Sequence, residues 1–197
     1  MTTIGAIIAG GQSRRMGGRE KAFLPLAGKP ILSHVIERLE PQVDQLLINS
    51  NGDLTRFAEY ELAIVPDALT SLTTPLAGLH ASLQFAWNAK AGMLVTVPSD
   101  IPFLPADLVA RLLEHCTMKG AAIASSGGQD HYIIGTWSTE LLDDLGRAIA
   151  KDNMFRVMDW AGRVSAARVE WPIHPFDPFF NVNTPEDLRN AEQIVSG

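Results

Sequence analysis

The chain has 197 residues, of which 46% are hydrophobic and 19% charged, a globular composition that excludes a disordered polypeptide. Its formal charge of −6 argues against non-specific binding to nucleic acid or an anionic membrane, and no apolar run reaches the ~18 residues that a membrane span needs. One cysteine, Cys116, leaves no internal disulfide and no cysteine cluster for zinc, and Met1-Thr2-Thr3-Ile4 lacks the basic start and long apolar stretch of a secretory signal, so a reducing cytoplasm is the expected compartment.

In chain order, residues 3–8 form a short apolar run that ends in a glycine pair and read as a buried strand. Pro30 opens a helix carrying Ile31, Leu32, Val35, Ile36 and Leu39 on one stripe. Strands are expected at 45–48 and 62–65, a helix at 75–87, and the clearest strand at 93–97, stopped by Pro98-Ser99-Asp100. A helix at 105–115 follows, then a strand at 121–124, a glycine turn at Gly127-Gly128 and a pairing stretch at 131–137. Helices are expected at 138–150 and 153–160, a strand at 164–169, a loop at 171–178 and a last helix starting at Thr184-Pro185-Glu186-Asp187, where the threonine caps and the acids favour the helix N-terminus. Strands alternating with helices predict an α/β domain in three layers, its mostly parallel central sheet covered on both faces. Without repeats or linkers, residues 1–197 read as a single domain.

In such a sheet, ligands bind beyond the carboxyl ends of the strands. The residues there are Ala9-Gly10-Gly11, Asn49, Asp67 and Asp100. Around the first of these, Arg14, Arg15, Arg19, Lys21 and Lys29 are opposed within residues 1–29 by Glu20 alone, which places positive charge beside glycines whose N–H groups can meet anionic oxygens. The segment is neither a P-loop, since no Gly-Lys-Ser/Thr closes it, nor a dinucleotide fingerprint, since its first glycines are adjacent. Asp100, directly after a buried strand and flanked by prolines, is a candidate Mg²⁺ ligand or else a turn-closing aspartate.

Taken together, Ile8-Ala9-Gly10-Gly11-Gln12-Ser13-Arg14-Arg15-Met16-Gly17, Lys21, Gly28-Lys29-Pro30, Asn49, Pro66-Asp67, Pro75-Leu76-Ala77-Gly78, Pro98-Ser99-Asp100-Ile101-Pro102 and Phe180-Asn181-Val182-Asn183-Thr184-Pro185 resemble nucleotidyltransferases of the molybdenum cofactor guanylyltransferase (MobA) type, in order and over nearly the whole chain. The resemblance implies a Rossmann-like nucleotidyltransferase fold and transfer of GMP from GTP to molybdopterin with release of pyrophosphate. It implies Mg²⁺, with Mn²⁺ as the alternative, and contact with cofactor-insertion chaperones and molybdoenzymes. It carries Ile8, Ala9, Gly10, Gly11, Lys21, Asn49, Asp67 and Asp100 into nucleotide binding, with Asp100 also on the metal. Lys21 and Arg15 would stabilise the departing pyrophosphate, and Asn181, Asn183 and Arg156 would face the acceptor, the two asparagines alternatively finishing the metal site; His131, following Asp130, is a separate candidate for substrate contact. Thr73-Thr74 stand where the family has glycine before Pro75, and Tyr132 where it has proline after His131. A cytidylyltransferase on the same cofactor, a sugar-phosphate nucleotidyltransferase and a regulatory nucleotide-binding module stay open as alternatives.

The five histidines show no metal-ligand spacing, and Cys116 has no evident base partner. Trp87, Trp137, Trp160 and Trp171 suggest core or interface positions with no stacking among them. Arg147, Lys151, Arg156 and Arg163 read as helix surface or as a second basic face.

Overall fold

A computed structural model describes residues 1–9, 21–69, 74–116 and 120–196. The apolar run at the start forms β1 (Thr3–Ile8), every residue of it buried. Lys21–Phe23 makes one 3₁₀ turn and leads into a two-residue hairpin, β2 (Pro25–Leu26) and β3 (Lys29–Pro30), with Gly28 at φ +84°. Then come α1 (Ile31–Leu39), β4 (Gln45–Asn49), a 3₁₀ segment Leu54–Tyr60, β5 (Ala63–Val65), α2 (Pro75–Asn88) and β6 (Met93–Pro98). The second half holds α3 (Leu108–His115), β7 (Ala121–Ser126), β8 (Gln129–Ser138), α4 (Leu142–Ala150), α5 (Val157–Arg163), β9 (Ala167–Trp171) and α6 (Pro185–Ser196).

Seven of the strands form one sheet in the order β5-β4-β1-β6-β8-β7-β9. All pairings are parallel except those of β8, which runs antiparallel to both β6 and β7. β7 therefore points the same way as β6, so Asn49, Val65, Pro98 and Ser126 all end strands at one edge. The turn between β7 and β8 is made by Gly127 and Gly128, both at positive φ, a backbone that glycine adopts without strain and that matches the twist of a hairpin.

Side chains alternate across the strands because the strand period is two. Ile7, Leu46, Ile48, Val95 and Val97 pack on one face with α1 and α3. Ile4, Ala6, Ile8, Leu47 and Leu94 pack on the other with α2, α4 and α5. A third cluster joins Leu24, Leu26 and Ile31 to Phe103, Val182 and Ala191, and thereby ties the segment before α6 to the hairpin that follows Lys21.

The structure shifts several expected boundaries. The helix expected from 105 starts at Leu108, where Gln42 Oε1 accepts from Val109 N at 3.0 Å, a cap supplied from a distant part of the chain. The helix expected at 153–160 begins at Val157, since Asn153 sits at φ +52° and Arg156 is extended. The strand expected at 164–169 begins at Ala167, delayed by Ser165 at φ +53°, and it reaches Trp171. Residues 138–150 divide into a 3₁₀ turn, Thr139–Leu141, followed by α4. Two tryptophans do stack: Trp137 and Trp160 lie 4.9 Å apart at 29°, fully buried, with their indole N–H groups donating to Thr96 Oγ1 (2.9 Å) and Asp144 Oδ2 (3.1 Å). Both sit in the core, where neither can receive a base.

Candidate functional site

The carboxyl edge of the sheet assembles two groups of polar side chains. The first lies over the ends of β4 and β5. Asn49 is 1% exposed and Asp67 9%, and Asn49 Nδ2 donates to Asp67 Oδ1 and to Val65 O, each at 2.9 Å. Asn51 completes the clamp: its Nδ2 donates to Asp67 Oδ2 at 2.6 Å, and its Oδ1 accepts from Asp67 N at 2.7 Å. Ile8 pairs in register with Asn49 and Pro98, Ala9 N donates to Asn49 O (2.9 Å) and Ser99 N to Ile8 O (3.3 Å), so the end of β1 is laced to both neighbours. Gly10, Gly11 and Arg15 lie outside the described residues.

A glycine on α2 makes room for this clamp. A Cβ on Gly78 would fall 2.2 Å from Asn49 Oδ1. Asn49 cannot swing aside without breaking its bonds to Val65 and Asp67, which together cost about 1–3 kcal/mol to disrupt. Gly78→Ala is therefore expected to destabilise the fold by about 1–3 kcal/mol, despite the better helix propensity of alanine. Thermal denaturation checks this, and an unchanged melting temperature would show that Asn49 moves freely.

The second group gathers over the end of β6. Lys21 Nζ stands 3.8 Å from Asp100 Oδ2, each side chain 18% exposed, and Nζ also donates to Asn183 Oδ1. Val182 N donates to Asp100 O at 3.0 Å, so the segment before α6 crosses directly over the aspartate. Asn183 is held from the other side, where Asp187 Oδ2 accepts from its backbone N (2.9 Å) and from Thr184 N (2.8 Å) while Thr184 Oγ1 accepts from Asp187 N (3.1 Å), a reciprocal helix cap. Asn181 Oδ1 is buried and has no hydrogen-bond partner among the described residues. This orphaned amide oxygen, on the residue before Val182, is suited to receive a ligand. Burial pushes the Asp100 carboxyl above the ordinary aspartate range, and the Lys21 ammonium pulls it part of the way back.

Among the described residues, no group of three or more His, Cys, Asp and Glu could hold a metal by itself. Over the end of β6, the Asp100 carboxylate and the amide oxygens of the 181–183 segment are a hard donor set that fits a divalent cation drawing its other ligands from phosphate and water.

The remaining expected residues lie elsewhere. Arg156 donates to Asp159 through Nε (2.8 Å) and Nη2 (2.7 Å) on exposed surface. Arg163 is paired with Asp144 (2.9 Å) and Asp152 (2.5 Å), so much of the supposed second basic face is neutralised. His131 Nε2 lies 2.8 Å from Ser126 Oγ. Burial lowers its imidazole pKa against the opposing pull of Asp177, Asp130 and Glu170. Burial likewise raises the Cys116 thiol to about 11, which leaves it inert as a nucleophile at neutral pH. The sequence reading missed Asn51, although its spacing from Asn49 was visible, and missed Ser126 and Asp177, whose meeting depends on strand order.

An α/β sheet that brings a lysine, a half-buried carboxylate and amide oxygens together at its carboxyl edge is of the ligand-binding open-sheet class. Residues 5–166 match the model of the MobA-like NTP transferase domain. The chain is 43% identical to the molybdenum cofactor guanylyltransferase of Bradyrhizobium sp. (strain ORS 278) over 196 residues, covering 98% of this chain and 92% of that protein. It is also 43% identical to the molybdenum cofactor guanylyltransferase of Rhodopseudomonas palustris (strain BisB5), covering 98% and 94%. Among solved structures, molybdopterin-guanine dinucleotide biosynthesis protein A from Archaeoglobus fulgidus superimposes with a TM-score of 0.74 at 26% identity over 98% of both chains. The chain belongs to the MobA-like NTP transferase family.

No helix among the described residues is long and apolar enough to cross a membrane.

Proposed function

We propose that this protein transfers GMP from GTP to molybdopterin, forming the guanine dinucleotide cofactor and releasing pyrophosphate. The approach of Lys21 to Asp100 supports this reading most directly, because it sets a cation and a half-buried carboxylate side by side where a polyphosphate would lie. The names of the relatives suggest the two substrates.

In the reaction, an oxygen of the terminal phosphate of molybdopterin bonds to the α-phosphorus of GTP. The bond from that phosphorus to the α–β bridging oxygen breaks, and its electron pair leaves with pyrophosphate. Both reactants are anions, so the barrier is largely repulsion, and positioning with charge neutralisation lowers it. Lys21 neutralises phosphate charge, and Ile8, Ala9, Asn49 and Asp67 hold the nucleotide. Gly10, Gly11 and Arg15 join them on the sequence alone. The attacking phosphate is already ionised near neutral pH, so the site needs neither a general base nor a covalent intermediate. Asp100, with the amide oxygens of Asn181 and Asn183, would hold Mg²⁺ or Mn²⁺, which when bound supplies Lewis-acid neutralisation of phosphate charge. His131 would face the acceptor, and Arg156 would have to leave Asp159 to do so. We also infer that the product passes to cofactor-insertion chaperones or molybdoenzymes.

Competition binding of GTP, CTP, ATP and UTP, with and without Mg²⁺, tests the reading together with pyrophosphate release in the presence of molybdopterin. GTP is expected to bind tightest, and release is expected to require molybdopterin. Tighter binding of CTP would make the protein a cytidylyltransferase, and GTP binding with no release would make it a regulatory module.

A further inference from the structure

Beyond the residues proposed to meet nucleotide and metal, a partly buried hydrogen-bond chain runs from β7 to the segment that carries Asn183. Ser126, 2% exposed at the carboxyl end of β7, donates through Oγ to Asp177 Oδ1 at 2.9 Å. The same Oδ1 accepts from Phe179 N at 2.9 Å, and Asp177 O accepts from Phe180 N at 3.1 Å. The backbone closes the turn over residues 177–180, and the Asp177 carboxylate braces it at Phe179 N and fastens it to the sheet. Ser126 has a single proton, committed to Asp177, so His131 Nε2 must donate to Ser126 Oγ across their 2.8 Å contact. This order excludes a hydrolytic triad, in which the histidine would take the proton of the serine and the aspartate would hold the histidine.

The turn has consequences only a few residues on. Val182 N reaches Asp100 O, and Asn183 Oδ1 accepts from Lys21 Nζ. Aromatic packing surrounds the segment: Phe179 lies against His131 (4.9 Å) and Trp171 (5.3 Å), and Phe176 and Phe180 lie against Phe103 (5.3 and 6.5 Å), three residues after Asp100. Such packing excludes water but is not directional. The bonds to Asp177 are directional. We propose that Asp177, tethered by Ser126 and His131, is a positioning residue that sets Asn183 against the Lys21–Asp100 pair. This rests on the proposed transfer reaction and adds to it a control on the acceptor side of the site, separate from the Asn49–Asp67 clamp.

The test compares full-length Asp177→Ala and Asp177→Asn. Asparagine keeps an oxygen able to accept from both Ser126 Oγ and Phe179 N, whereas alanine keeps none. Asp177→Ala is expected to lower kcat for pyrophosphate release by about 10- to 100-fold, the scale of an ångström-sized misplacement, with KM for GTP unchanged within about threefold. Asp177→Asn is expected to recover most of that loss. Amide hydrogen exchange, which reads the segment whatever the substrate, should quicken over residues 179–183 in Asp177→Ala alone. Wild-type turnover by Asp177→Ala would overturn the proposal. So would equal loss in both variants with exchange unchanged, since the charge itself would then be what matters. If Asp177→Ala does not fold, Ser126→Ala carries the same readouts with a smaller loss expected, and unchanged kcat and exchange there overturn the proposal as well. A wild-type protein that releases no pyrophosphate from GTP and molybdopterin refutes the transfer reaction, and exchange over 179–183 then decides the role of Asp177 independently.

Discussion

Asp100→Asn is expected to yield a folded protein whose nucleotidyl transfer falls by at least about a hundredfold, the loss that follows when a preorganised charge is removed from a transfer site. The two side chains have nearly the same shape, and Asp100 takes part in the fold chiefly through its backbone carbonyl, which accepts from Val182 N. Folding and the proposed catalysis make opposite demands on this carboxyl. Burial raises its pKa in the folded state, so the folded protein binds its proton more tightly than the unfolded chain does. Below the unfolded carboxylate pKa of about 3.9 this preference is fully stabilising, and it is lost as pH rises through the higher folded value. At neutral pH, in metal-free protein, the ionised group is therefore a burden, relieved in part by Lys21. Asp100→Asn should melt at or above the wild type at pH 7–8 without metal, and its advantage should shrink on acidification. Divalent cation with GTP should raise the melting temperature of the wild type and leave that of the variant nearly unchanged. Turnover within tenfold of wild type, or a variant melting several degrees lower, would remove Asp100 from the reaction.

Lys21→Met is expected to lower kcat/KM by two to four orders of magnitude, about 3–5 kcal/mol of transition-state stabilisation. Its ammonium faces Asp100 Oδ2 at 3.8 Å and donates to Asn183, so one substitution removes the positive charge and releases the amide opposite it. Methionine conserves most of the stem volume, which keeps the packing of the 3₁₀ turn out of the result. Lys21 is also the charge that restrains the Asp100 pKa, so its removal should raise that carboxyl further, measurable by carbon-13 titration of the aspartates. Lys21→Arg should rescue only partly, because a planar fork does not reproduce a compact ammonium. Near-normal turnover by Lys21→Met would separate the Lys21–Asp100 pair from catalysis.

The origin of each site residue explains how far it could be read from the sequence. Asn49, Asp67 and Asp100 each follow an apolar run, so strand-end reasoning finds them, and the parallel strands then bring them to one edge. Gly78 was visible as part of a motif, but its contact with Asn49 requires α2 to lie against the end of β4. Ser126, His131 and Asp177 could not be linked in advance, because β8 inserts antiparallel between β6 and β7 and turns the end of β7 toward the same edge as Asp100. A glycine pair predicts a hairpin but does not say which neighbour the returning strand will take.

Local physics, then, was enough to determine the alternation of strands and helices, the glycine hairpin and the polar residues at strand ends, because apolar period, turn residues and caps act over a few positions along the chain. Only the folded molecule could decide that Lys21, 79 residues from Asp100 in the sequence, comes within 3.8 Å of it, and that Asn183 closes over both. Those meetings depend on strand order and on aromatic packing between distant segments, which no short-range pattern encodes.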